Sequence, residues 1–205
     1  MKRLIFVEGV ADSKFIRDFI QFHYPNNSFE FDIVETKGWT NINNPQSSDE
    51  LIKNKMNQNF DNGGVNLIVF DADNNFKDRF DMITNWGKSN QLQFELFLFP
   101  NNADSGDLET LLEQIINPSN IPIFECWDKY EKCLSLIKIP NRMNPLSIPA
   151  RKTKIYGYLE ALLGISKSQK EKIKEFKRDY QNESHWDLRS EPVLRLKAFF
   201  DNYFN

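Results

Sequence analysis

The chain offers little for building a fold stapled by covalent bonds or zinc. Cys126 and Cys133 are its only cysteines, and His23 and His185 its only histidines, among 205 residues. The cysteines stand seven apart in a segment of helical character, on one face but two turns apart, which is too far for a disulfide. With no CxxC pair, a zinc centre is not expected either, and two half-buried thiols in a reducing cytoplasm are the expected state. No stretch reaches the ~20 consecutive apolar residues of a membrane span. Met1-Lys2-Arg3 runs directly into a strand-like segment with no signal-peptide pattern, so a cytoplasmic protein without a membrane partner is expected. There is no GxxxxGKS or GxxxxGKT loop and no internal repeat. The net charge of −3 gives no global attraction for nucleic acid.

What is present is an apolar, ring-rich composition with a strong rhythm. Hydrophobic residues make up 40% of the chain and Phe alone occurs 18 times, enough for one sizeable core. RLIFVEG, FEFDIVET, VNLIVFD and FELFLFP read as strands, the third apolar throughout as for a strand buried on both faces. Between them, DSKFIRDFIQFHY, a segment around DELIKNKMNQNF (after a polar stretch at 41–49) and NNFKDRFDMITNWGKSN read as helices, the last ending near Gly87. This β-α-β-α-β-α-β order predicts an α/β fold with a parallel four-stranded sheet flanked by helices. After Pro100 the reading is helical: LETLLEQI, FECWDKYEKCLSLI, KTKIYGYLEALLG, SQKEKIKEFKRDY and EPVLRLKAFFDNYF. Residues 1–115 form the α/β part and 116–205 a helical extension packed on it, or both are one domain.

Charge is unevenly spread. Residues 1–150 hold 14 Lys+Arg against 21 Asp+Glu, whereas residues 151–178 hold 9 against 3. An acidic body with a basic segment can hold a cation in one place and phosphate in another; a solvated helix face explains KSQKEKIKEFKR equally.

The acids fall where strands leave the core. Glu8 and Asp12 follow the first strand, and Asp71 and Asp73 close the third. In open parallel sheets ligands bind beyond such strand ends. Carboxylates gathered there raise each other's pKa, and Mg²⁺ or Mn²⁺ offsets the repulsion with oxygen ligands. In an extended segment residues i and i+2 face the same side, so Asp71 and Asp73 are expected to face one ion. Asp107 and Glu109, after Gly106, add a third acidic cluster beside a second metal position. The bland readings are that Asp12, Asp107 and Glu109 favour helix N-termini and that Asp73 caps a helix.

The combination of VEGVAD, IVFDADNN and FPNNADSGDLETLL resembles the Toprim domain, and more closely the stand-alone Toprim-like family DUF3226 and the Toprim part of the overcoming-lysogenization-defect (OLD) nucleases. The resemblance implies a Toprim fold over about residues 1–115 and metal-dependent work on nucleic acid phosphodiesters. Glu8 matches the metal-binding or acid/base carboxylate after the first strand, and Asp71 and Asp73 match the Asp-x-Asp metal ligands. Asp12 matches the second acid of the E-x-x-x-D form, with Glu109 and Asp107 in the later acidic position. Lys152 or Lys154 stands for the charge-stabilising lysine of the OLD type. Asn75 replaces the further Asp of topoisomerases. The ATPase accompanying the OLD Toprim domain is not in the chain, so any coupling to ATP needs a partner.

The expected function is hydrolysis of DNA or RNA with one or two Mg²⁺ or Mn²⁺ ions. Glu8 and Asp12 then serve one ion, Asp73 and Glu109 another, with Asp71 between. Arg151, Lys152 and Lys154 offset phosphate charge, and Lys170, Lys174 and Lys177 with Arg151 contact the nucleic acid backbone. The alternative is a catalytically silent Toprim-like module that binds nucleic acid or a separate ATPase. A haloacid-dehalogenase reading of DADNN fits poorly, because Asn75 stands where that pattern has Thr or Val. The trio His185-Trp186-Asp187 reads as a packed Trp beside a satisfied histidine, and Trp86, Trp127 and Tyr130 as core aromatics.

Overall fold

Alternation within the apolar runs decides the layers. The computed structural model describes residues 2–26, 29–39 and 49–204; most of the polar stretch at 41–49 lies outside them. Strands β1 (Arg3–Val7), β2 (Phe31–Glu35), β3 (Val65–Asp71) and β4 (Glu95–Phe99) form one parallel sheet in the order β2-β1-β3-β4. Ile5 and Val7 face one side with Leu67, Val69, Phe97 and Phe99; Leu4 and Phe6 face the other with Ile68, Phe70 and Leu98. Every one of these is essentially buried, as period-two side chains in a sheet covered on both faces must be.

Helix α1 (Val10–His23) covers the first face through Phe15, Ile16, Phe19 and Ile20. Helices α2 (Asp49–Asp61) and α3 (Phe76–Ser89) cover the second, with Met56, Ile83 and Trp86. Helix α3 ends two residues past Gly87, near it as expected; a Cβ at Gly87 would stand 2.4 Å from the Phe94 ring, so the glycine lets the helix approach the residue that leads into β4. The chain leaves β1 toward β2 and then crosses back to β3 on the other side of β1. The topological switch point therefore lies between the carboxyl ends of β1 and β3.

The second half adds α4 (Leu108–Gln114), α5 (Ile121–Leu136), α6 (Arg151–Leu163), α7 (Lys167–Ile173) and α8 (Leu194–Phe204), with 3₁₀ turns at Glu175–Lys177 and Glu191–Val193. The helix expected through SQKEKIKEFKRDY stops at Ile173, because Lys174 takes an extended ψ of 138°. Cys126 and Cys133 are both exposed on α5 and not half-buried as expected. No described helix is long and apolar enough to cross a membrane.

One apolar cluster joins Ile5, Phe15 and Phe99 with Ile155, Tyr180, Trp186, Leu196 and Phe200, so it runs across position 115 without a break. Its polar fastening is Asp18, only 2% exposed. Asp18 Oδ2 accepts the Tyr180 N–H at 2.9 Å and Oδ1 pairs with Lys14, while the Tyr180 ring meets Phe15 edge-on at 5.2 Å. This contact holds the 175–180 segment against α1.

Truncating Asp18 to Ala leaves a buried N–H and a lysine without their acceptor and is expected to cost about 2–4 kcal/mol. Asp18→Asn keeps an acceptor and is expected to lose less. Urea unfolding followed by Trp fluorescence checks the order of the two variants.

Candidate functional site

Residues far apart in the chain meet at the switch point. The parallel register sets Val7 beside Val69, so Glu8 leaves β1 next to the end of β3. The Asp71 N–H donates to Glu8 Oε1 at 3.2 Å. Gly9 opens α1, and its N–H donates to Asp12 Oδ2 at 2.8 Å, turning Asp12 back over the strand end, where it is 8% exposed. Asp71 Oδ1 accepts the Leu108 N–H at 3.0 Å, which brings the first turn of α4, with Glu109, over β3. Each carboxylate is thus held by backbone donors at an element boundary, where such donors are spare.

The grouping perturbs ionisation. Asp71 is raised above the usual carboxylate range, first by burial and then by the charges of Asp12 and Glu8. Burial also raises Asp12, with Glu8, Glu109 and Glu175 adding to it and the Gly9 N–H opposing. Burial raises Glu109, and Lys152 and Arg178 partly compensate. Glu8 and Asp12 thus act on Asp71, and Glu8 and Glu109 on Asp12.

Asp73 stands outside this group, and the reason is local. The strand ends at Asp71, Ala72 is buried, and Asp73 takes a left-handed φ of 51°, so the expected i, i+2 alternation stops one residue too early. The Asp73 side chain pairs with Arg79, and its carbonyl accepts the Gly106 N–H at 2.8 Å. Gly106, at φ 144°, meets this bridge where a Cβ would stand 2.7 Å from the Thr110 hydroxyl. The cap of α3 is Asn75, whose Oδ1 accepts the Asp78 N–H at 3.2 Å. Asp107 caps α4, its Oδ1 accepting the Thr110 N–H at 2.8 Å, and its charge also acts on Asp71 and Glu109.

Helix α6 splits the expected cations. Lys152 pairs with Glu175 and also feels Glu109. Lys154 is buried against Asp128 at 2.7 Å and Glu113 at 3.2 Å, with Phe124 beneath its ammonium. Arg151 bonds Thr110, Glu113 (3.3 Å) and Asp107 (3.5 Å). Lys152 is therefore the lysine that faces the acidic group. Three lysines of the basic stretch have carboxylate partners: Lys170 pairs with Glu160 at 3.0 Å, and Lys174 and Lys177 share Glu171.

Two residues that join the site carry no motif, Glu175 and Arg178. They reach it because the 175–180 segment is fastened to α1, a contact that sequence spacing does not announce. The aromatic readings divide as well. Trp86 is buried edge-on to Trp39 at 5.7 Å, whereas Tyr130 is 47% exposed.

The donor set suits a hard divalent cation by its chemistry, being all oxygen, half-buried or buried, and mutually repelling. Among the described residues, no three Asp, Glu, His or Cys side chains close on one point as the structure stands. The model of the DUF3226 family, described as a protein of unknown function, matches residues 2–205. No curated protein and no solved structure matches the chain.

A carboxyl whose pKa is raised on folding keeps a proton that the unfolded chain releases. Its contribution to stability is therefore lost as pH climbs above the ordinary Asp value of 3.8. Melting without divalent metal is expected to fall by several degrees between about pH 5 and 8. Asp71→Asn should flatten that slope, and Mg²⁺ or Mn²⁺ should raise the wild-type Tm more at pH 8 than at pH 5. A scanning-fluorimetry pH series with and without metal reads both.

Proposed function

The chain belongs to the DUF3226 family, and we propose that it is a Toprim-type nuclease hydrolysing phosphodiesters of DNA or RNA with Mg²⁺ or Mn²⁺. The observation that carries this reading is the direct contact of Glu8 with Asp71 at the switch point, inside a group where Asp12 and Asp71 hold raised pKa values. Such a concentration of uncompensated carboxyl groups in a sheet crevice is characteristic of a functional site.

Glu8, Asp12, Asp71 and Glu109 would hold the cation, and Asp107 stands beside them. Such a cation would supply Lewis-acid neutralisation of a phosphate oxygen and lower the pKa of a water. The residues of the chain do the rest. Backbone N–H groups of Asp71, Gly9 and Leu108 orient Glu8, Asp12 and Asp71 before any substrate arrives, so little reorganisation is left for the reaction. A carboxylate of this group would accept the proton of the attacking water. Lys152, between Glu175 and Glu109, places a positive charge at the rim, where charge builds on the phosphate. Asp73 enters the site only by leaving Arg79, and Lys154 only by leaving Asp128 and Glu113, so neither is placed in the reacting set here.

A second reading draws on the cation pairing. Lys170, Lys174 and Lys177 already have carboxylate partners, which weakens any electrostatic hold on a backbone. On that reading the chain is a catalytically silent Toprim-like module that works with a separate ATPase.

Incubation with plasmid, single-stranded DNA and tRNA in Mn²⁺ separates the two. The nuclease reading expects cleavage that Asp71→Asn and Glu8→Gln abolish without lowering Tm by more than a few degrees. Lys152→Ala should reduce it on the order of ten- to a hundredfold. Binding without nicks favours the silent module, and full activity in Asp71→Asn refutes the site.

A further inference from the structure

A second cavity, with a volume of about 320 Å³, lies between α6, α7 and the loop before α8, and no member of the acidic group lines it. Its apolar lining is Leu159, Leu163 and Trp186; its polar lining includes Lys172, Lys177, Arg178, Asn182 and His185, with Asp179 as the one carboxylate.

The fold leaves several donors of this lining unused. Arg178 is 1% exposed. Its Nε donates to the Ile173 carbonyl at 2.9 Å and its Nη1 to the Tyr180 hydroxyl at 3.4 Å, while Nη2 has no acceptor. The indole Nε1 of Trp186, a residue equally buried, has none either. Asn182 Oδ1 accepts from the Ser184 N–H at 3.0 Å and hydroxyl at 2.6 Å; its NH₂ makes no hydrogen bond among the described residues. The His185 backbone is fully used: its N–H donates to the Asn182 carbonyl at 2.9 Å, and its carbonyl accepts from the Asn117 N–H at 2.8 Å and the Tyr158 hydroxyl at 2.6 Å. Among the described residues its ring makes no hydrogen bond. Lys172, unlike Lys170, Lys174 and Lys177, has no ion pair among the described residues.

Buried N–H groups without partners are few in a folded chain. Two of them belong to residues that line this cavity, and beside them stand an unpaired lysine, an imidazole without a hydrogen bond and a surplus of positive charge, which together mark an anion site. We propose that this cavity binds a phosphate monoester of nucleoside-monophosphate size. A phosphate group offers three terminal oxygens to guanidinium, ammonium and amide donors, more than a carboxylate can. Leu159, Leu163 and the Trp186 edge take the apolar body. The volume is at the lower end for a ligand pocket, which admits a mononucleotide and excludes a dinucleotide cofactor. The inference does not rest on the nuclease reading.

The test is calorimetric titration of the full chain, without divalent metal, with AMP, inorganic phosphate and adenosine in separate runs. AMP is expected to bind with a Kd below about 1 mM, inorganic phosphate more weakly, and adenosine not at all. Lys172→Glu, at an exposed position, and His185→Ala are each expected to weaken AMP about tenfold or more with an unchanged circular dichroism spectrum. Absence of AMP binding, adenosine binding as tightly as AMP, or wild-type affinity in Lys172→Glu would overturn the site. Equal affinity for inorganic phosphate and AMP would overturn the mononucleotide body.

Discussion

Parallel pairing of β1 with β3 imposes the constraint on which the rest of the structure turns: two acid-ended strands finish side by side. A buried carboxylate is costly unless donors or cations compensate it. Glu8, Asp12 and Asp71 are compensated in part by the N–H groups of Asp71, Gly9 and Leu108, which are available only because a strand ends or a helix starts there. What those donors leave uncompensated appears as raised pKa values at Asp12 and Asp71. The stability of the fold and the capacity of the crevice to attract a cation are therefore two aspects of the same electrostatics.

The C-terminal half is built around that crevice as well as around the core. Asp18 of α1 holds Tyr180, and the segment so fastened presents Glu175 to Lys152 and Arg178 to Glu109. Helix α6 is anchored in the same direction by Arg151, which bridges to the first turn of α4. A charge at the rim is in this way tied to contacts deep in the aromatic core, where Phe15, Tyr180 and Trp186 meet.

Arg178 belongs to both regions of interest. Its charge acts on Glu109 of the acidic group, its ring-facing side lies over Tyr156 at 4.7 Å, and it lines the cavity beside α7. Lysines that composition marks as one basic stretch serve different ends: Lys152 faces the acids, Lys154 closes a buried ion pair, Lys174 and Lys177 share Glu171, and Lys172 stands alone at the cavity.

Sequence alone determined the sheet, its order of helices and strands, and the placing of Glu8, Asp12, Asp71 and Glu109 at element boundaries. Apolar periodicity and runs of acids after strands are local signals, and the physics that produces them acts over a few residues. It misdirected Asp73, because alternation was extended past the point where Ala72 is buried and the backbone turns left-handed. It could not separate Lys152 from Lys154, two residues apart on one helix, nor find Glu175, Arg178 or the unused donors near His185. Those positions follow from packing between segments distant in the chain, such as Lys154 on Asp128 and Asp18 on Tyr180. Only the tertiary structure decides such contacts, since the free energy that selects them comes from burying surfaces jointly and not from the preference of any single stretch.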